Sequence, residues 1–410
     1  MAASPVPEPS LTPKPQHPLR ERNFRLLLTG STISLLGDQC YIVALPWLVL
    51  QMTGSAVAMG TILMAAAIPR AILMLLGGAV SDRMSPRKIM IMTASTRTLF
   101  VAAIGVLVWL KMLRMWELYG LAFAFGVADA FALPAMSAYM PSLVKREQLL
   151  AGNSTLQSAV QLTMIAGPAP AGLLIKALGM AWAFFLDAIS FLFIIAALWA
   201  LPDPPASHRG PRKAVWHSIL EGIQFVARDV QMRSLILLAT VINFCITGPV
   251  GVGLAYLAKI RFGSPAAYGT TLSALAVGAL LGTLSAGMIK VRRRGFILPA
   301  VGVIIGLCMG PMGLMWRLWE VAVLMFLIGI TAGLSNVHII SWLQQRIDPS
   351  IRGRIMSVMM TANVGLMPVS LALAGVLVAW SLEWTFLIAG TAMLFVSVLA
   401  VFQKAVREIE

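Results

Sequence analysis

Gly77-Gly78-Ala79-Val80-Ser81-Asp82-Arg83-Met84-Ser85-Pro86-Arg87-Lys88 is a charged turn set between two long apolar runs. Two glycines, Gly77 and Gly78, stand near the end of the first run, Ala56 to Val80, and the next opens at Ile89. Lipid does not tolerate irregular backbone at depth, because nothing there can hydrogen-bond a free amide or carbonyl. The turn therefore belongs at a membrane surface, and the flanking runs are spans. Apolar runs recur over 24–50, 56–80, 89–110, 118–140, 151–175, 181–200, 235–257, 268–289, 296–316, 321–344, 355–380 and 384–403. Each is close to or above the roughly 20 residues that a helical span needs.

Composition agrees. Of 410 residues, 59% are hydrophobic and 11% charged, against about 25% charged in a soluble domain. Twelve spans with short loops use up the chain. A net charge of +15 would suggest nucleic acid in a soluble protein. Here it follows from topology, since cytoplasmic loops collect Lys and Arg, and no nucleic-acid partner is expected. With the N-terminus inside, 23 of the 31 basic residues fall on inner segments and six on outer loops. Only Arg70 and Arg97 lie within spans. Both termini are therefore expected in the cytoplasm, with the chain in the cytoplasmic (inner) membrane. Cys40, Cys245 and Cys308 lie far apart in apolar runs and read as packing residues. No metal site or cofactor is expected. The first helix, with no cleavage pattern before it, is expected to stay as an anchor.

The fold class is an all-α integral membrane protein of twelve transmembrane helices in two six-helix pseudo-repeats. The expected organisation is a cytoplasmic tail over 1–23, a first bundle over 24–200, a linker over 201–234, a second bundle over 235–403 and a tail over 404–410. In the linker, Val215, Ile219, Leu220, Ile223 and Val226 recur at helical spacing, the pattern of an amphipathic surface helix. The repeat shows in paired landmarks. Gly282, near the end of span 8, follows Gly77 by 205 residues, and Arg233 follows Arg25 by 208. The second turn has Gly287 where the first has Asp82.

Gly78, Asp82, Arg83, Arg87 and Lys88 resemble the loop between helices 2 and 3 of the major facilitator superfamily. Further stretches resemble its bacterial efflux branch of macrolide and enterobactin exporters. These are Asn23-Phe24-Arg25, Ser34-Leu35-Leu36-Gly37-Asp38, Ala44-Leu45-Pro46-Trp47, Pro141-Ser142-Leu143-Val144, Asp187-Ala188-Ile189-Ser190-Phe191 and Arg352-Gly353-Arg354. Gly167, Pro168 and Gly172 resemble the helix-5 motif of antiporters, although Thr163 and Ala171 stand where the fuller pattern has glycine. The resemblance implies a major facilitator fold, a site between the halves, and export in exchange for protons. It also implies that Asp82 latches the turn against the start of span 11, near Arg354 and Ile355, with Gly78 allowing close approach. A helix N-terminus there would favour the aspartate.

Ionisable groups in lipid are costly and mark function. Asp38 is 13 residues beyond Arg25, about 20 Å deep at helical rise. Arg70 lies about 18 Å and Arg97 about 14 Å from the same surface. Asp129 precedes Lys145 by about 24 Å of helix. Asp38, Asp129 and Arg70 are the proton-coupling candidates, and a fixed ion-pair network among helices 1 to 4 is the alternative. Arg97 is expected to be structural, since the third helix of the resembled fold is peripheral. Asp187 lies about 9 Å from the outer end of its span and is expected to pair with Lys176 or a helix start. The second half has no acid in a span, and His338 there reads as a packing residue. Gln157, Gln161, Asn243 and Asn363 are cavity candidates.

No phosphate loop, His-Glu-x-x-His or nucleophile elbow occurs, so neither an ATP-driven pump nor an enzyme is expected. The expected function is a secondary transporter exporting a small amphipathic compound (a drug, macrolide, secondary metabolite or siderophore). It works as a monomer, with protons and the lipid bilayer as partners. The alternatives are a proton-coupled nutrient importer and a non-transporting sensor or assembly factor with the same fold.

Overall fold

The computed structural model describes residues 17–203, 224–288, 297–346 and 349–403; the described side chains leave out 75–83, 344, 349–354 and 356–357. The linker's expected amphipathic helix lies mostly outside these residues. Fourteen helices carry the fold among them. In the first half they are α1 Arg22–Thr53, α2 Ala56–Arg83, α3 Pro86–Trp109, α4 Met115–Tyr139, α5 Leu149–Ala166, α6 Pro168–Leu178 and α7 Met180–Ala200. In the second they are α8 Val230–Gly248, α9 Pro265–Ala286, α10 Ile297–Met309, α11 Leu318–Arg346, α12 Pro349–Gly365, α13 Met367–Trp380 and α14 Leu382–Phe402. No strand occurs among the described residues. Eleven helical segments are long and apolar enough to cross a membrane, or twelve if the bent α5–α6 pair is one span.

Local chemistry sets the ends. Ser85 caps α3, accepting from the Lys88 amide at 3.5 Å, and Pro86 opens the helix with the φ it prefers. Asp229 caps α8 by accepting from the Gln231 and Met232 amides at 3.0 and 3.1 Å. Gly54 ends α1 in the left-handed region at φ 67°, a backbone conformation that glycine adopts without the strain a side chain would bring.

The spans expected at positions 5 and 11 are both interrupted. Gly167 ends α5 and Pro168 opens α6 at a bend of 42°. Proline there removes an amide and crowds the preceding turn. At the second site α12 gives way to α13 at Leu366, with Pro368 near the start of the new helix. Pro368 follows Pro168 by 200 residues. Span 7 is also irregular. Beyond α8 the chain winds through π-helical turns over Pro249–Gly253 and Ala258–Phe262.

The two sets of helices pack alike. In the first set α1 and α3 lie against α7, and α4 lies against α2 and α3. In the second, α8 and α10 lie against α14, and α11 lies against α9 and α10. The sets meet along two seams, α2 on α13 and α6 on α9, which exchange under the same two-fold relation. Small residues let backbones touch at these seams. A Cβ built on Gly269 would stand 2.0 Å from the Pro168 carbonyl oxygen. One on Gly172 would meet the Pro265 carbonyl at 2.5 Å, and one on Gly60 the Leu371 carbonyl at 2.6 Å. These approaches fall on the half of the bundle remote from the helix ends nearest the termini. On the same side the Lys259 ammonium donates to the Leu50 carbonyl, joining the two sets.

Within the first set, Gly126 of α4 makes the tightest approach to a neighbouring backbone. Its Cβ would stand 2.1 Å from the Ala66 carbonyl oxygen on α2. Gly120 on the same helix has nothing within 4 Å. Gly126→Val should therefore destabilise the bundle by about 1–3 kcal/mol, and Gly120→Val by no more than about 0.5 kcal/mol. Thermal unfolding of the two purified variants in detergent checks the difference.

Candidate functional site

Four apolar helices each bring one ionisable side chain to a common depth. Arg97 of α3 is the hub. Its Nη2 donates to Asp38 Oδ1 on α1, and its Nη1 lies 3.5 Å from Asp129 Oδ1 on α4. Arg70 Nη1 on α2 reaches the other oxygen of Asp129 at 3.2 Å. The guanidinium of Arg97 sits 4.8 Å from the Phe125 ring centre and 4.3 Å from that of Phe191. Those π faces add favourable electrostatics to a cation already removed from water. Phe125 lies one turn before Asp129 on α4, so ring and carboxylate share a helix face. Tyr41, one turn beyond Gly37 on α1, stacks on Phe125 at 4.4 Å.

Exposure grades the cluster. The side chains of Arg97, Asp129 and Asp38 are 11%, 17% and 19% exposed, while that of Arg70 is 47% exposed. Two cations and two carboxylates therefore balance, with Arg70 at the open edge. The expected candidates Asp38, Asp129 and Arg70 are brought together. Arg97, expected to be structural, joins these groups because α3 packs on α7 and α4 and turns this side chain inward.

Asp187 departs from expectation. Lys176 is exposed at the end of α6 and does not meet it. Asp187 is fully buried on α7, and neither carboxyl oxygen has a hydrogen-bond partner. The nearby Ser190 hydroxyl donates instead to the Asp187 backbone carbonyl at 2.7 Å.

The polar candidates do not form a cluster. Gln157 and Asn243 are exposed, and Gln161 and Asn363 are half-buried. Asn243 is engaged on its own helix, where Thr247 donates to its Oδ1 at 3.1 Å. His338 Nδ1 lies 2.9 Å from the Leu334 carbonyl of its own helix, the packing use expected. The interruptions at Gly167-Pro168 and Met367-Pro368 sit at corresponding positions of the two halves. Paired broken helices of this kind border the midplane sites of transporters built from repeats.

At the turn, Gly78, Asp82 and Arg83 lie outside the described side chains. Arg87 bonds within its own half. Its Nε donates to the Leu198 carbonyl at 2.7 Å and its Nη2 to the Trp199 carbonyl at 3.1 Å, closing the end of α7. Ser85 reaches Asp203, and the Tyr139 hydroxyl donates to the Pro202 carbonyl at 2.9 Å. Lys88 is exposed.

Two like-packed helix sets joined along narrow seams, with a balanced charge cluster inside one of them, define a polytopic membrane transporter rather than an enzyme. A family model described as transmembrane secretion effector matches residues 14–410. The chain belongs to that family, within the major facilitator superfamily. It is 29% identical to the multidrug efflux pump Tap of Mycolicibacterium fortuitum over 404 residues, covering 94% of this chain and 96% of that one. It is 25% identical to the enterobactin exporter EntS of Escherichia coli O1:K1 / APEC over 347 residues, covering 83% and 82%. Its fold is similar to a bacterial homologue of the iron transporter ferroportin in an inward-facing state, with TM-score 0.73, 18% identity, and 94% and 99% of the chains covered. It is also similar to the nucleoside transporter NupG, with TM-score 0.73, 11% identity, and 95% and 100% covered.

Arg97→Met would leave the sheltered Asp38 without its ion-pair partner and Asp129 with Arg70 alone, at a cost of about 3–5 kcal/mol. Arg70→Met, at the open edge, should cost no more than about 1 kcal/mol. Comparative melting in detergent reads the gap. Equal midpoints for the two variants would rule out Arg97 as the hub.

Proposed function

We propose that the protein exports small amphipathic compounds across the cytoplasmic membrane by alternating access, in exchange for protons. The observation that carries export is the similarity to Tap, which spans 94% of this chain. A relative named as an enterobactin exporter points the same way. Antiport is supported by acids held at middle depth with partial access, Asp38 at 19% and Asp129 at 17% side-chain exposure. The basic residues favour both termini in the cytoplasm. In that orientation the glycine seams and the Lys259–Leu50 bond close the outer side. The arrangement is then the one that loads from the cytoplasm, and a monomer suffices for it.

In this reading Asp38 takes a proton from the outer side and gives it up inside, and Asp129 shares Arg97 with it. Protonation of Asp38 frees one arm of Arg97. That loosens α1 from α3 and favours the other access state. Gln157, Gln161, Asn243 and Asn363 supply hydrogen bonds to substrate, and Gly167, Pro168 and Gly172 shape the seam that rocks. Gly78, Asp82, Arg83, Arg87 and Lys88 form the conformational latch on the cytoplasmic side, a role resting on the motif.

Everted membrane vesicles given a pH gradient, acid inside, test the exchange. The macrolide erythromycin, ethidium and a catecholate siderophore serve as probes. Gradient-driven uptake is expected in the wild type and loss of it in Asp38→Asn. Uptake that ignores the gradient would remove proton exchange from the reading, and accumulation by intact cells would favour the importer. Asp82→Asn should abolish turnover at normal expression, and wild-type rates from it would end the latch.

A further inference from the structure

We infer that Asp187 is a second protonation site, which holds a proton in the state shown and exchanges it with Asp38 by alternate pairing to Arg97. The inference rests on the transporter reading above and adds a group to which that reading assigns no role.

The charge balance comes first. Arg97 and Arg70 are matched by Asp38 and Asp129. Asp187 is a third acid on the same cluster, with no cation left for it. It is fully buried, and both carboxyl oxygens lack a hydrogen-bond donor. A bare carboxylate sealed this way is strongly disfavoured, whereas a neutral carboxylic acid is tolerated. The obvious local donor is committed elsewhere, since Ser190 Oγ bonds the Asp187 backbone carbonyl at 2.7 Å.

The surroundings hold the groups an exchange needs. Asp187 faces α1 closely, because a Cβ built on Gly37 would stand 2.9 Å from Asp187 Oδ1. Gly37 is the residue before Asp38. From α1, Asp38, Cys40 and Tyr41 are the titratable groups in electrostatic reach of Asp187, and from α3 it is Arg97. On α6, Lys176 is exposed. The guanidinium of Arg97 lies over Phe191, one turn along α7 from Asp187. Its Nε is buried and has no partner, while Nη1 and Nη2 serve Asp129 and Asp38. One unused donor and one unused acidic group thus stand at the same cluster.

The exchange conserves atoms and charge. The O–H bond at Asp187 breaks and an O–H bond forms at a carboxylate oxygen of Asp38. The new Asp187 carboxylate accepts from Arg97 while neutral Asp38 lets go of Nη2. Before and after, two cations face two carboxylates and one neutral acid. Asp38, being partly exposed, then trades its proton with the substrate pathway. The Asp38–Arg97 bond joins α1 to α3, and an Asp187–Arg97 bond would join α7 to α3 instead. Moving the proton therefore re-ties the helices.

Infrared spectra of the purified full chain in liposomes at neutral pH test the inference without any transport readout. The wild type is expected to show the C=O stretch of a neutral carboxylic acid, and Asp187→Asn to lack it. Asp38→Asn, which mimics protonated Asp38, should lose the same band, because Arg97 is then free to hold Asp187 as a carboxylate. A wild-type spectrum without the band, or a band that survives in Asp38→Asn, would overturn the exchange. If Asp187→Asn does not fold, Asp187→Glu should shift the band, and a band left unshifted counts against it. Gradient-independent transport would strike the antiport reading but leave this spectral result standing.

Discussion

A guanidinium in lipid must be neutralised, and the first helix set is built around meeting that demand at Arg97. No single neighbour does it. Asp38 comes from α1 and Asp129 from α4, while Phe125 and Phe191 present their faces from α4 and α7. Four of the helices in this half therefore share one electrostatic contact. Removing a partner from such a buried pair leaves an uncompensated charge, which is why these clusters resist piecemeal change. The same demand fixes rotation. A helix turned by one residue would aim its acid at lipid instead of the hub.

The seams between the sets work by a different physics. Lipid tails are as apolar as leucine, so helices gain by close packing more than by hiding surface. Glycine at 60, 172 and 269 lets carbonyls and Cα atoms meet across the seams. Such contacts are short-range and carry no formal charge, so they can be parted without stranding an ion. The charged cluster sits within one set and the uncharged seams between sets. Parting the seams would leave the ion balance intact. The Lys259–Leu50 bond is the exception, an ammonium closing the remote face.

Much of this was legible in the sequence because its cause is local. Span number follows from run length, and depth of Asp38, Arg70 and Asp129 follows from helical rise. The break at Gly167-Pro168 follows from proline's missing amide. What was not legible depends on which helix faces which. The place of Arg97 as the hub is one such feature, because depth along α3 says nothing of direction around it. A usable signal was present in the aromatics. Phe125 precedes Asp129 by one turn and Phe191 follows Asp187 by one turn, so two acidic helices each carry a ring on the acid's face. Asp187 was misjudged for a related reason. Distance to the span end suggested Lys176, whereas glycine at 37 draws α7 onto α1 and buries the carboxyl.

The two halves repeat in packing but not in charge. The pairings of α1, α3, α4 and α7 recur in α8, α10, α11 and α14, and the prolines at 168 and 368 break corresponding helices. Yet the second set carries its ion pairs near helix ends. Arg346 meets Asp229 at 3.2 Å, and Arg261 meets Glu383 at 2.9 Å beside Trp316. Arg346 and Glu383 stay 41% and 47% exposed, which lowers the cost of holding them, while Arg261, 4% exposed, is met by Glu383 and the Trp316 ring. In the first set Arg97, Asp129 and Asp38 are sheltered together, and their charges must balance. Among the described residues a symmetric scaffold thus confines the mid-depth ion pairs to one half. A side chain changed at middle depth in the other half therefore disturbs none of the ion pairs described there, which lie near the helix ends.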